Sequence, residues 1–283
     1  RGVLEKANLT SGELDGIGVT TGPGLVGGLI VGAVTAQAIA EVWGLPLIAI
    51  NHLEAHALTA RLTDNLAFPF LALLISGGHC QFVAVQAPRR YEVIGSTIDD
   101  SVGEAFDKVS KMLGLGYPGG PAVEVAAREG SQTSYSLPRP LLGSHNCNFS
   151  FSGLKTAVRL HVLKEPRLFE SVQAISDLCA SFQSAVGDIL FDRSKRAIGQ
   201  FKSQFGVPSA FVIAGGVAAN AYLRHRLKLV AAGAGIEFVA PPPELCGDNA
   251  AMVAWAALEV SLCGIPQSRS FPVRSRWPLS DLH

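Results

Sequence analysis

Two periodicities divide the chain. A short apolar run at residues 14–20 reads as a buried strand and leads into Thr21-Gly22-Pro23-Gly24-Leu25-Val26-Gly27-Gly28, after which apolar residues at helical spacing predict a helix over residues 29–42. Gly44 ends that helix, a second strand follows at residues 45–50, and Asn51-His52-Leu53-Glu54-Ala55-His56-Ala57 opens another helix. At Phe70 the period shortens. Phe70–Ile75 and residues 81–86 are apolar runs joined by Ser76-Gly77-Gly78-His79-Cys80, which predicts a hairpin with a glycine tip, and a third strand follows over residues 91–98.

Beyond it, Asp99-Asp100-Ser101-Val102-Gly103-Glu104 is an acid-rich first turn that suits a helix start, where carboxylates cap free N–H groups. Asp107 lies too far into that helix to be one of its caps. Gly116-Tyr117-Pro118-Gly119-Gly120-Pro121 precedes a short helix ending at Arg128, and residues 130–148 are a polar loop. Order resumes at Phe149-Ser150-Phe151-Ser152 with a helix, and residues 171–201 form one long or two abutting amphipathic helices, a packing element without chemistry. Residues 208–214 are a buried strand turned by Gly215-Gly216-Val217-Ala218-Ala219-Asn220 into a helix bearing Arg224, Arg226 and Lys228. A further strand at 236–240 runs into Pro241-Pro242-Pro243-Glu244-Leu245-Cys246-Gly247-Asp248-Asn249, which caps a last helix, Ala250–Leu262. The tail from Gln267 is rich in Arg and Pro, lacks periodicity and is expected on the surface.

Composition narrows the class. A chain of 283 residues that is 48% hydrophobic buries about three quarters of its unfolded surface and favours two lobes over one core. Its 23 basic and 23 acidic residues cancel, so a nucleic-acid surface would have to be a local patch. Five cysteines without a C-x-x-C pair do not read as a disulfide framework and fit a reducing compartment. No apolar run looks long and uncharged enough to span a bilayer, and no signal peptide opens the chain, so a soluble intracellular protein is expected.

The candidate chemistry sits at strand ends, where open α/β sheets place ligands. On a helix His52 and His56 lie about 40° apart, so both imidazoles can reach one metal ion; the competing reading is two ordinary hydrogen-bonded histidines. Glu54 is about 200° round from His52 and points away from any such ion. Metalloproteases carry their Glu directly after the first His, so a zinc protease is a poor reading. The stretch 21–28 and the Ser76-Gly77-Gly78-His79 tip could each admit a phosphate to backbone N–H groups, or could simply be close packing and a tight turn. Residues 215–220 form an anion cradle, with Asn220 able to bond a sugar or amide. Asp248 is either the N-cap of the last helix or a third metal ligand. Glycine loops converging on a cleft with two His and one Asp describe an α/β, actin, hexokinase and Hsp70-like (ASKHA) two-lobed architecture with a central nucleotide cleft.

The stretches NHLEAHA, LLISGGHC, TIDDSVGEAFDKVSKMLGLGYPGGPAVE, NFSFSGLKTAV, VIAGGVAAN and CGDNAAMVAWA, in this order and spacing, resemble the TsaD family of tRNA N6-adenosine threonylcarbamoyltransferases over nearly the whole chain. The resemblance implies transfer of threonylcarbamoyl from threonylcarbamoyl-AMP to N6 of the adenine 3′ of the anticodon (t6A) in tRNAs reading codons that start with A. By the same analogy His52, His56 and Asp248 bind one iron or zinc ion, and Ile75, Ser76, Gly77, Gly78, His79, Asp107, Gly120 and Asn220 contact the adenylate, with ATP or ADP a further possible ligand. It implies tRNA as partner, together with a related ASKHA subunit and a P-loop ATPase in bacteria, or a homodimer in mitochondria, and no membrane.

Under this reading residues 1–66 are the remainder of a first lobe, 67–263 a second lobe with a helical insertion, and 264–283 a tail. Ala55 stands where the family has Gly and Gly247 where it has Thr. The family's G-I-E-T-S-C-D-like first phosphate loop would lie upstream of Arg1, so the chain is expected to lack it. Segments LPRPLLG and RSRWPLSDL resemble the bacterial line that also gave rise to mitochondria, making the bacterial cytoplasm, or alternatively the mitochondrial matrix, the expected address. The other readings are a non-catalytic scaffold subunit of the same complex and an actin-like ATPase or sugar kinase. Lys155, Arg159, Arg224 and Arg226 are the basic candidates for tRNA contact.

Overall fold

The computed structural model describes residues 2–264 and 271–282. In chain order the elements are α1 (Gly2–Ala7), β1 (Ile17–Gly22), α2 (Val26–Trp43), β2 (Leu47–Asn51), α3 (His52–Asp64), β3 (Phe70–Ile75), β4 (Cys80–Ala87), β5 (Arg90–Ser96), α4 (Val102–Met112) and α5 (Gly119–Ala127). Next come α6 (Ser152–Lys164), α7 (Val172–Phe205), β6 (Ala210–Ala214), α8 (Ala221–Ala234), β7 (Glu237–Val239), α9 (Pro243–Cys246) and α10 (Ala250–Leu262).

The strands form two sheets. β1 and β2 pair in parallel, with α2 as the crossover that parallel pairing requires. The second sheet has the order β5-β4-β3-β6-β7: β3, β4 and β5 run antiparallel as a meander, while β6 and β7 join β3 in parallel through α8. β3 explains why its sequence is apolar without alternation. Leu71, Leu73 and Ile75 enter one core with α4, α6, α7 and α8, whereas Phe70, Ala72 and Leu74 enter another with α3 and α10. Side chains of successive strand residues point to opposite faces, so a strand covered on both faces must be apolar throughout.

α7 is a single helix of 34 residues. Its Arg193 is fully buried, donates to Ser144 Oγ at 2.6 Å and the Asn146 carbonyl at 2.7 Å, and pairs with Asp192. That guanidinium pins the polar loop at residues 130–148 to the core. All five cysteines are free, and four of them are buried.

Four expectations change. α2 begins at Val26, so Gly27 and Gly28 belong to its first turn; neither has a positive φ, and nothing lies within 4 Å of a Cβ built on either. Close packing therefore does not require glycine there. α2 is also long and apolar enough, by length and composition alone, to cross a membrane, with a mean hydropathy of 1.5 over 18 residues. The expectation that no run is sufficient fails because Glu41 is the only charged residue in the helix. Ala36 and Ala40 pack against the first sheet and Ala33 is buried, while Val31, Val34 and Val42 are exposed.

The tail differs too. Of the expected surface segment, residues 267–270 lie outside the described residues, but the stretch from Arg274 to Leu282 is docked. The Arg274 N–H donates to the Thr21 carbonyl at 2.8 Å, the Gly24 N–H to that of Ser275 at 3.2 Å, and Leu279 and Leu282 are buried against the core that contains α3. Lack of periodicity did not mean lack of burial, because an extended segment buries isolated apolar side chains rather than a face. Finally, Asp99 and Asp100 lie ahead of α4, whose N-cap is Ser101. Asp99 instead accepts from the Phe151 and Ser152 N–H groups and both neighbouring hydroxyls, capping α6 from a distance, and Asp100 pairs with Lys108 and Lys155.

Candidate metal centre and cleft

β2 delivers the chain to α3, and Asn51 starts that helix: its Oδ1 accepts from the Leu53 N–H at 2.9 Å and the Glu54 N–H at 3.4 Å. His52 and His56 then occupy one face, ring centroids 4.7 Å apart and nearly perpendicular. Both turn Nε2 toward Asp248 Oδ1, at 3.4 Å for His52 and 3.1 Å for His56.

Asp248 is available because the cap of α10 is its neighbour. Asn249 Oδ1 accepts from the Met252 N–H at 2.9 Å, and its amide donates to the Gly247 carbonyl at 2.9 Å. The donor atoms of His52, His56 and Asp248 all lie within 4.8 Å of one another. Hydrogen bonds from His52 and His56 hold the Asp248 carboxyl far below the usual carboxylate range.

Two imidazole nitrogens and one carboxylate oxygen facing one point are a donor set suited to zinc or iron. With Nε2 turned inward, the buried Nδ1 of His56 has no hydrogen-bond partner among the described residues and must carry the ring proton whenever Nε2 is a ligand. The residues fit a divalent ion.

Glu54 lies on the far side of α3. It is fully buried, and its Oε1 accepts from the Arg89 N–H at 3.1 Å and the Tyr91 hydroxyl at 2.9 Å, with Arg89 Nη1 3.3 Å from Oε2. Burial raises its pKa against the pull of Arg89. It anchors the helix and does not reach the histidine pair.

The Ser76-Gly77-Gly78-His79 tip lies opposite. The Ser76 N–H donates to the His79 carbonyl at 2.8 Å, and Ser76 Oγ accepts from the His79 N–H at 3.1 Å. Ser101 Oγ donates to the Gly77 carbonyl at 2.6 Å, tying the tip to the start of α4. Gly103 and Gly215 let neighbouring backbone approach this hairpin: a Cβ on either would run into the Ser76 or Ile75 carbonyl oxygen, and Gly215 also has φ +97°. Burial, and then the nearby His52 and His56, lower the pKa of His79.

The tip and His52 share one cleft of about 730 Å3, lined by His52, Asp248, Ser76, Gly77, Gly78 and His79 together with Thr20, Gly24 and Gly28. The family model described as "TsaD: tRNA N6-adenosine threonylcarbamoyltransferase" matches residues 1–255, which include every residue of this cleft.

The chain belongs to the TsaD family. It is similar to the tRNA N6-adenosine threonylcarbamoyltransferase of Rhodospirillum rubrum, with 56% identity over 276 residues, 98% of this chain and 76% of that protein. The protein of the same name from Methylorubrum populi is 53% identical over 278 residues, 98% of this chain and 80% of that one. Among solved structures, T. kodakarensis HypF superposes with a TM-score of 0.64 at 16% identity, over 90% of this chain and 42% of that one. Full-length HypF in its phosphate- and nucleotide-bound form superposes with 0.57 at 14% identity, over 82% and 38%. The chain thus spans about two fifths of those HypF chains, and the likeness concerns the fold alone, which is of the ASKHA type.

Five residues read from the TsaD resemblance do not line the cleft: Ile75 and His56, both buried, and Asp107, Gly120 and Asn220. Asp107 borders a second hollow of about 530 Å3 with Glu104, Lys111 and Tyr117, and its Oδ1 accepts from the Gly119 N–H at 2.7 Å. It is a cap after all, of α5 rather than of its own helix. Gly120 is in the first turn of α5, with nothing within 4 Å of a built Cβ. Asn220 is buried and caps α8, Oδ1 accepting from the Leu223 N–H and Nδ2 donating to Gln183 Oε1, both at 2.9 Å.

Part of the expected anion cradle at residues 215–220 is therefore used internally, because Glu124 Oε1 also takes the Ala221 N–H at 2.8 Å. Sequence reading missed Glu124, Thr20 and Met252. Thr20, at the end of a strand before a glycine loop, carried a visible signal; the other two carried none. Of the basic candidates, Lys155 pairs with Asp100, Arg224 donates to the Ala218 and Pro241 carbonyls, and Arg226 pairs with Asp188, while Arg159 is exposed.

Proposed function

We propose that this chain transfers the threonylcarbamoyl group from threonylcarbamoyl-AMP to N6 of the adenine 3′ of the anticodon in tRNAs reading codons that start with A, forming t6A. The observation that carries the reading is that His52 and Asp248, gathered with the buried His56 into one donor cluster, line the same cleft as the Ser76-Gly77-Gly78-His79 tip. In the reaction the adenine amine attacks the carbamoyl carbon, the bond from that carbon to the phosphate oxygen breaks, AMP leaves, and the amine loses a proton. An aryl amine is a weak nucleophile but the mixed anhydride carries a good leaving group, so positioning and charge stabilisation are the main requirements.

His52, His56 and Asp248 hold a zinc or iron ion, which supplies Lewis-acid polarisation of a phosphate or carbonyl oxygen when bound. The Gly77 N–H, with that of Gly78, whose bond to Ser76 Oγ is long at 3.4 Å, holds the phosphate at the tip, since the Ser76 and His79 N–H groups bond within it. The Asp107 oxygen not bonded to Gly119 orients the ribose or the substrate amine, and Gly120 and Asn220 border the adenylate. Partners are tRNA, a related ASKHA subunit and a P-loop ATPase, and the bacterial source of the relatives favours the cytoplasm over the mitochondrial matrix.

The test is transfer of labelled threonylcarbamoyl from the synthetic adenylate to unmodified tRNA, with partner subunits supplied. Transfer by the chain, lost together with bound metal in His52→Ala, is expected. Undiminished transfer by a metal-free His52→Ala would overturn the metal assignment, and no transfer by any version would move the chain to a scaffold role.

A further inference from the structure

The N-cap of the histidine helix has a second partner. Asn51 is fully buried. While its Oδ1 caps α3, its Nδ2 donates to the Trp277 carbonyl at 2.8 Å, across 226 positions of sequence. Ser, Thr and Asp all cap helices through an oxygen, but none of them has an amide donor in addition. The part-buried Trp277 carbonyl takes its bond from this amide, and Asp at position 51 would set a carboxylate against that oxygen.

The segment bearing Trp277 is itself fixed. Arg274 and Ser275 bond to the end of β1 and the loop after it, and a Cβ on Gly22 would run into the Arg274 carbonyl, so the close approach depends on glycine. Further on, Leu279 and Leu282 are buried in the same core as Leu53, Ala57 and Leu58 of α3. Arg89, which pairs with Glu54 and donates to the Ala49 carbonyl, lies 5.9 Å from the Trp277 ring.

We infer that Asn51 is a positioning residue for the histidine pair and that the segment at residues 274–282 holds it in place, so that this segment sets the metal affinity of the site. The inference rests on the metal reading of His52, His56 and Asp248. Its physical basis is position: His52 is the first residue of α3, so the direction of its ring follows the N-cap, whereas His56 is buried one turn on and held by packing. A cap free to move loosens one ligand of the two.

The experiment loads the full chain with Co(II) and reads affinity by chelator competition, together with the visible ligand-field spectrum, for wild type, Asn51→Asp, Asn51→Ser and His52→Ala. Ser171→Ala, which removes the side-chain cap of α7 at the Ala174 N–H, serves as a destabilised control. One Co(II) bound by wild type and lost in His52→Ala establishes the site. The proposal then expects Asn51→Asp and Asn51→Ser to bind about ten-fold more weakly with an altered spectrum, while Ser171→Ala keeps the wild-type affinity and spectrum. Wild-type affinity and spectrum in both Asn51 variants, or equal weakening in Ser171→Ala, overturns the proposal while the metal reading stands. Failure of wild type to take up Co(II) overturns both.

Discussion

Asp248 offers one carboxylate oxygen to two imidazoles because Asn249, one residue later, caps α10 in its place. The division of labour predicts separable variants. Asp248→Asn should retain the fold and lose metal, whereas Asn249→Ala should cost about 1 kcal/mol of stability through the lost cap. Metal analysis after dialysis and urea unfolding of both variants will check this.

Asp99 should make acid stability depend on a contact between distant segments. Burial raises its pKa, but hydrogen bonds from Ser150, Phe151 and Ser152 outweigh it and leave the net value below the usual 3.8. A carboxyl lowered on folding contributes stability that is present above its unfolded pKa and lost as pH falls through the folded one. Asp99→Ala should therefore be less stable than wild type at pH 7, by about 1 kcal/mol for a lost helix cap. The difference should close below about pH 4, as read by urea unfolding at a series of pH values.

Gly215 has a left-handed φ and no room for a side chain beside Ile75. Gly215→Ala should cost about 2 kcal/mol or more and displace the neighbouring hairpin tip. Thermal unfolding measures the first effect. Hydrogen exchange at Ser76 and His79 measures the second, with faster exchange expected.

Arg193 is the largest fully buried side chain among the described residues. Arg193→Ala should cost about 3 kcal/mol, since it strips charge-assisted bonds from a buried site and leaves their acceptors unpaired. The loop at residues 130–148 should also open to proteolysis, so limited digestion of wild type and variant, with mass spectrometry of the first fragments, is the measurement.

Much of this was legible in one dimension. The two periods located both sheets and most helices, and β3 was readable because a strand buried on both faces must be apolar throughout. The two histidines on one face of α3 followed from helical geometry alone, as did the placement of Glu54 on the side away from them. Six linked motifs carried the family.

Other features were decided only by contacts between distant positions. Whether Asp248 was a cap or a ligand could not be read locally, since Asp and Asn are equally good caps; the packing of α10 against α3 brings it to the histidines. Asp107 and Asp99 cap helices other than their own, which no spacing rule anticipates because the partner lies on another element. The aperiodic tail likewise has no local signature of burial, yet Leu279 and Leu282 complete the core under α3 and the Trp277 carbonyl receives Asn51. Sequence by itself determined which segments are helix and strand and which side chains could share a helix face, because those depend on backbone period. Tertiary structure alone decided which polar groups are satisfied and by what, because a hydrogen bond depends on the meeting of two groups in space.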